Sequence, residues 1–236
     1  MIGCRAPAEV GETAARSAVN SRSERRQQSA AEEIANCVSH SVGFLLAAAL
    51  LPILVQMGVV RTAQTLHIVS VSIFAATMML LYLCSALFHG LPPGRGKRFF
   101  ERLDHAAIYL FIAGSYSPFA VSALQHNGAW LTVALVWILA LAGALIALSE
   151  LFTHPLWSTG LYVAMGWSVL AAAVPSIEHV SSGGMRLLIA GGVVYTLGAA
   201  LFLLSARIRF AHLAWHLFVM AGSALHVAAA VRFVGS

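Results

Sequence analysis

The chain has 236 residues, of which 59% are hydrophobic and 10% charged, inverting the surface requirement of a water-soluble domain, where about a quarter of residues carry charge. Most side chains must therefore face something other than water. The excess of 14 Lys plus Arg over 9 Asp plus Glu is scattered in short segments between apolar runs, which argues against the single basic patch of a nucleic-acid binder and suits attraction to anionic lipid headgroups at basic loops.

Residues 1–31 mix Arg, Glu, Ser and Ala without an apolar core or a small-residue cleavage site, so they predict a mobile cytoplasmic tail and not a secretory signal. Residues 32–236 predict one membrane domain. From Ser41 onward the chain divides into apolar runs close to the ~20 residues that cross a ~30 Å hydrocarbon core. These cover about 41–60, 64–88, 106–124, 129–149, 156–175, 187–205 and 213–231. The breaks are turn-like: Gly90-Leu-Pro-Pro-Gly94, Gln125-His-Asn-Gly128, Thr153-His-Pro155 and Ser181-Ser-Gly-Gly184. The expected fold is all-α, a bundle of seven transmembrane helices with a cytoplasmic N-terminus and an external C-terminus.

Orientation follows from the cations. With the N-terminus inside, inner segments hold eleven Lys/Arg, including Arg95, Lys97, Arg98, Arg102, Arg207 and Arg209, and outer ones hold three, Arg61, Arg186 and Arg232. That asymmetry obeys the positive-inside rule and sets the orientation; the expected location is the plasma (inner) membrane, multi-pass. Glu150 in an inner loop carries no counterweight, because acids contribute little to the rule. Cys4, Cys37 and Cys84 have no metal-type spacing and cannot all pair, so a disulfide framework is not expected. Pro52, Pro118 and Pro175 can kink their helices, and Ala47-Ala-Ala49, Gly191-Gly192 and Gly198-Ala-Ala200 suit close helix contact in lipid. No internal repeat is found.

Ionisable groups at membrane depth are expensive and point to function. His89 ends the second run, Asp104 opens the third, and His212 and His216 open the seventh, so four groups distant in sequence meet one membrane face. His212-Leu-Ala-Trp-His216 has the i, i+4 spacing that stacks two imidazoles on one helix face. A third nitrogen from His89 would make a three-histidine set that leaves the fourth position of a tetrahedral zinc open for water, the arrangement of a catalytic site. Asp104 could then hold that water and take its proton, since zinc lowers the water pKa from 15.7 toward about 7. Ser85, one turn before His89, could orient the imidazole or donate to an oxyanion.

Each of these residues also has a plain reading. Interfacial histidines meet headgroups or water, Asp104 suits a helix N-terminus, and Ser85 can bond its own backbone. Their convergence from three helices favours a site. His40 either joins it or caps the bundle, and His226, roughly 15 Å further along the helix than His216, is too deep to share the ion. Glu32 and Glu33 suit an interfacial acidic turn. Solvent contact accounts for His67, His126, His154 and His179. Trp137, Trp157, Trp167 and Trp215 read as interface anchors or packing.

Glu32-Glu-Ile-Ala-Asn36 with Ser39-His40 and Gly43, then Ser85-x-x-x-His89, Leu103-Asp-His105, Gly114-Ser-Tyr-Ser-Pro118, Tyr162-Val-Ala-Met-Gly-Trp167, Gly191-Gly-Val-Val-Tyr195 and His212-x-x-x-His216 together resemble the bacterial hemolysin III proteins. These are similar to the progestin and adipoQ receptors, which include the adiponectin receptors. The match runs from about residue 32 to the C-terminus. The resemblance implies seven helices with an intracellular N-terminus and a zinc ion near the cytoplasmic face, with His89, His212 and His216 as its ligands, Asp104 beside its water and Ser85 close by. Phe88 stands where many relatives have tyrosine, which removes a hydroxyl near the metal.

Adiponectin receptors look like ceramide amidases, so the resemblance implies a zinc-dependent hydrolase of a lipid amide or ester acting in membrane lipid homeostasis, with a membrane lipid as substrate. The alternative is a non-enzymatic lipid sensor or pore-forming (cytolytic) membrane protein with a structural zinc. No amphipathic secreted segment accompanies the family's lytic name, and the apolar runs offer few charges at mid-depth for a conducting pore. Substrate identity and oligomeric state are not encoded in any recognisable motif.

Overall fold

The structure is a computed structural model and describes residues 26–127, 130–149, 155–173 and 182–233, with side chains left out at 121–127, 130, 169–173 and 233. Most of the expected tail, Cys4, Glu150, His154, Pro175 and His179, and the side chain of His126, lie outside the described residues. Among the described residues there are seven helices: α1 Ala30–Arg61, α2 Thr65–Gly90, α3 Arg95–Asn127, α4 Trp130–Leu148, α5 Pro155–Ala173, α6 Ser182–Leu204 and α7 Ala211–Phe233.

The fold class is therefore all-α, as expected. Five helices are long and apolar enough to cross a membrane: α1, α2, α6, and the stretches Leu131–Leu148 of α4 and Ala211–Arg232 of α7. Successive helices pack against one another, and α1 closes the bundle on α7. α3 also meets α5 and α7 and lies innermost. Residues 113–120 of α3 are all buried, so its core stretch can carry Ser115, Tyr116 and Ser117 without exposing them to lipid. The outer helices do the reverse. Leu45, Leu46 and Val60 of α1 and Leu131, Ile138 and Leu145 of α4 are more than half exposed, an apolar exterior too extensive for a protein surrounded by water.

Local sequence sets the helix boundaries. α1 opens on a capping box in which the Ser29 hydroxyl accepts from the Glu32 amide and the Glu32 carboxylate accepts from the Ser29 amide at 3.0 Å. It closes at a turn where Ala63 has φ 51°. Pro92 and Gly94 separate α2 from α3. The buried residues of α2 form one stripe at i, i+3, i+4 and i+7, running from His67 through Ser70, Val71, Phe74 and Met78 to Ser85 and His89. His67 is accordingly 8% exposed. This corrects the expectation of solvent contact, because the stripe that delivers His89 to the interior carries His67 inward as well.

Close approach of α6 and α7 depends on glycine. A Cβ at Gly198 would meet Phe218 Cβ at 2.7 Å and the Trp215 ring at 2.8 Å, and one at Gly191 would overlap the His226 ring. Trp215 is thus packing, whereas Trp157 is 69% exposed and suits an interface position. Cys37 and Cys84 are free thiols. In the interior, Tyr82 Oη donates to Ser223 Oγ at 2.8 Å, and Tyr195 Oη meets the same oxygen at 3.0 Å, tying α2, α6 and α7 together.

Candidate metal centre

His89 comes from the last turn of α2, and His212 and His216 come from the first turns of α7, so one helix end and one helix start bring three imidazoles together. Their candidate ligand nitrogens all lie within 4.8 Å of one another. Ring centroids are 5.0 Å apart for His89–His212 and His89–His216, and 4.8 Å for His212–His216. His89 and His216 are buried and His212 half-buried. The i, i+4 pair and the distant His89 therefore converge as their spacing predicts.

Hydrogen bonds on the far side of the His89 and His216 rings fix which of their nitrogens faces the centre. His89 Nδ1 lies 2.8 Å from Glu33 Oε2. An ionised carboxylate only accepts, so Nδ1 carries the proton. That leaves His89 Nε2, buried and without a hydrogen-bond partner, with a lone pair for a metal. His216 Nδ1 is held at 3.3 Å from the Asn36 carbonyl oxygen and 3.1 Å from Ser39 Oγ. His212 Nε2 is likewise buried and unpartnered. Imidazole nitrogens this close together, two of them without a partner, are the donor set that a borderline-soft divalent ion such as zinc takes up.

Glu33 is a residue that its local sequence conceals. An acid in the first turn of a helix reads as a macrodipole partner, yet here Glu33 Oε2 bonds both His89 and Lys97 Nζ, the latter at 3.1 Å, while Lys97 also donates to the Phe88 carbonyl at 2.8 Å. Carboxylates in this position fix ligand orientation and raise ligand basicity. Glu32, expected in an interfacial acidic turn, is 2% exposed and turned into the bundle. Helix spacing puts Glu32, Asn36 and His40 on the face of Gly43 and Ala47, and that face is the buried one. Hydrogen bonds to Glu32 raise the Arg26 guanidinium further above its already high pKa.

His40 is buried, and neither ring nitrogen has a hydrogen-bond partner. Its ring stacks on His216 at 3.6 Å and 4°. Among the described residues the group close enough to hold an ion consists of His89, His212 and His216, so His40 supports the face of one ring of that group. His226 lies deeper, against Tyr195 at 5.2 Å.

Asp104 is half-buried in the third turn of α3, which opens at Arg95 and not, as expected, at Asp104, because the helix extends through the basic segment. Ser85, 1% exposed, lies alongside it, with its hydroxyl next to the Asp104 carboxyl. Both line a cavity that also takes in His212 and His216 and continues past Phe111 and Val219 to His226. The lining is overwhelmingly apolar below the histidines, so the shape is a greasy channel with a polar head. Two of its lining residues, His216 and His226, lie ten residues and so roughly 15 Å apart along α7 at 1.5 Å per residue.

Comparison with known proteins agrees with this architecture. The profile described as "Haemolysin-III related" matches residues 28–227. The chain is 37% identical over 202 residues to Hemolysin-3 of Bacillus cereus, covering 85% of this chain and 91% of that protein. It is 37% identical over 193 residues to the Hemolysin-3 homolog of Bacillus subtilis (strain 168), covering 82% and 90% respectively. A more distant likeness, 26% over 214 residues, links it to the human monocyte to macrophage differentiation factor, with 86% and 84% covered. A match spanning the whole bundle, including every residue of the histidine cluster, identifies this chain as a multi-pass membrane protein of the haemolysin-III related family.

Proposed function

We propose that this protein is a zinc-dependent hydrolase of an amide or ester bond in a membrane lipid. The observation that carries this reading is the convergence of three imidazoles, with unpartnered Nε2 atoms on His89 and His212, beside an apolar cavity whose wall holds His212, His216, Asp104 and Ser85. His89, His212 and His216 would hold the ion. When bound, zinc supplies Lewis acidity and makes water acidic enough to serve as a nucleophile near neutral pH.

The chain's own groups account for the remaining chemistry. Asp104 accepts the proton of the attacking water as general base and returns it to the leaving group. Ser85, beside Asp104, donates to the oxygen that becomes negative as the carbonyl is attacked. Glu33, Asn36 and Ser39 hold the imidazoles in their working tautomers. The apolar channel excludes water and binds an acyl chain, placing the carbonyl at the histidine end.

Topology supports a cytoplasmic position for the centre. The histidine end of α2 adjoins the basic segment from Arg95 to Arg102, which the positive-inside rule assigns to the inner face of the plasma membrane. α3, packed innermost, and α5, with Leu156, Trp157 and Leu161 exposed, complete seven spans in this reading. The basic segment also offers contacts to anionic headgroups.

The test is metal content and turnover in purified protein. Wild type should carry one zinc and cleave at least one lipid in a panel of amides and esters, and Asp104→Ala should keep the zinc and lose the turnover. Stoichiometric zinc with no Asp104-dependent cleavage of any lipid would favour the second reading. That reading is a non-enzymatic lipid sensor, supported by the way the histidine cluster joins α2 to α7. It requires His216→Ala to lower thermal stability while Asp104→Ala leaves function intact.

A further inference from the structure

The segment just before α7 has an unusual conformation. Phe210 has φ 59°, the left-handed region that bulky residues rarely occupy unless the surroundings impose it. Its carbonyl accepts from the Ala214 amide at 2.9 Å, so it is the residue from which α7 starts. His212 follows two residues later and His216 one turn after that. Any shift of Phe210 moves both ligands.

What imposes the conformation comes from the other end of the chain. Glu32 Oε1 accepts from the Phe210 amide at 2.8 Å. The same carboxylate is gripped by Arg26 through two bonds of 2.7 Å, from Nη1 to Oε2 and from Nη2 to Oε1, and it also accepts from the Ser29 amide and hydroxyl. Arg26 Nη2 reaches past it to the carbonyls of Ile208 at 3.2 Å and Ser205 at 3.5 Å. The ion pair therefore binds the α6–α7 turn at three points, one amide and two carbonyls. Glu32 is 2% exposed, and its charge sits at the amide end of α7, where the helix dipole favours an anion.

From this we propose that Arg26 and Glu32 form a clamp that sets the start of α7 and so positions His212 and His216 for the metal. The inference rests on reading the three histidines as metal ligands. Glu32 and Arg26 are positioning residues, since both act through the backbone of the turn. Arg26 lies outside the residues 28–227 that the family profile covers, so this half of the clamp belongs to the segment leading into the bundle. A bidentate guanidinium–carboxylate pair is geometrically specific in a way lysine cannot match. Arg26→Lys should therefore behave as a partial loss.

Two measurements on the full chain in lipid nanodiscs test it. The first is amide hydrogen exchange across residues 205–214 in metal-free protein. Glu32→Ala should raise exchange there at least tenfold with α2 and α4 unchanged, Arg26→Ala should raise it less because the Phe210 bond survives, and Glu32→Gln should fall between because an amide oxygen still accepts. The second is zinc affinity by competition with a chelating indicator, in which Glu32→Ala should weaken binding at least tenfold and Glu32→Gln should recover part of it. Unchanged exchange in Glu32→Ala overturns the clamp. A loosened turn with wild-type zinc affinity overturns its positioning role and leaves only a structural one. If wild type binds no zinc, the metal reading fails, and the exchange data alone judge whether the pair holds the turn. If Glu32→Ala does not fold, the Arg26→Ala and Glu32→Gln proteins carry the same two comparisons.

Discussion

Replacing Glu33 by alanine isolates the contribution of a single carboxylate to the proposed metal centre. The His89 side chain is fully buried and its Nδ1 lies 2.8 Å from Glu33 Oε2, whereas the Glu33 side chain is 26% exposed. Removing the acceptor strands a buried N–H, and hydrogen bonds to charged groups are worth about 1.5–3 kcal/mol. The Lys97 contact adds little, because partly exposed ion pairs contribute about 0–1 kcal/mol. Loss of a partner behind a ligating histidine typically costs 10–100-fold in metal affinity, which is about 1.4–2.7 kcal/mol at 1.36 kcal/mol per decade. The two routes agree. Glu33→Ala should raise the zinc Kd by about 10–100-fold, and Glu33→Gln should raise it by less than about tenfold because the amide oxygen can still accept from Nδ1. Competition against a chelating indicator in detergent at fixed pH reads both. A Kd for Glu33→Ala within about twofold of wild type, alongside loss of binding in His89→Ala, would refute the reasoning.

Two further outcomes follow from packing. Gly198→Ala should lower stability by about 1–3 kcal/mol, because its new methyl would meet Phe218 and Trp215 well inside van der Waals contact, while Gly160→Ala, with nothing within 4 Å, should be neutral or stabilising by up to about 1 kcal/mol; thermal unfolding of the two proteins in one detergent compares them directly, and equal midpoints would contradict the tight α6–α7 approach. His40→Phe should keep a full complement of zinc, since the stacked ring supports His216 without donating to the ion; a protein purified with less than half the wild-type zinc would make His40 a ligand after all.

Periodicity makes much of this site legible. His212 and His216 declare a shared helix face by their spacing, and Ser85 with His89 does the same at the end of an apolar run. Helix boundaries follow from Ser29, Pro92 and Gly94. Glu33 is different, because one chain segment cannot reveal that an acid near the start of α1 will meet a histidine 56 residues away. The available signal lies on the neighbouring face: Glu32, Asn36 and His40 repeat every four residues in register with Gly43 and Ala47. Small residues at that spacing mark a packed face, and polar residues continuing it must be turned inward. His67 shows the same lesson on α2, where the stripe outweighs proximity to a helix end. Arg26 could not be read at all, since its partners are backbone atoms of a turn whose conformation arises only when α1, α6 and α7 assemble.

X-ray absorption at the zinc edge, on protein purified without added metal, addresses the three-histidine centre most directly. The expected first shell is three nitrogen scatterers with imidazole outer-shell features and one further light atom, all at about 2.0–2.1 Å, with His89→Ala reducing the imidazole count. A shell containing sulfur, a shell of oxygens without imidazole, or a spectrum unaltered by His89→Ala would contradict it.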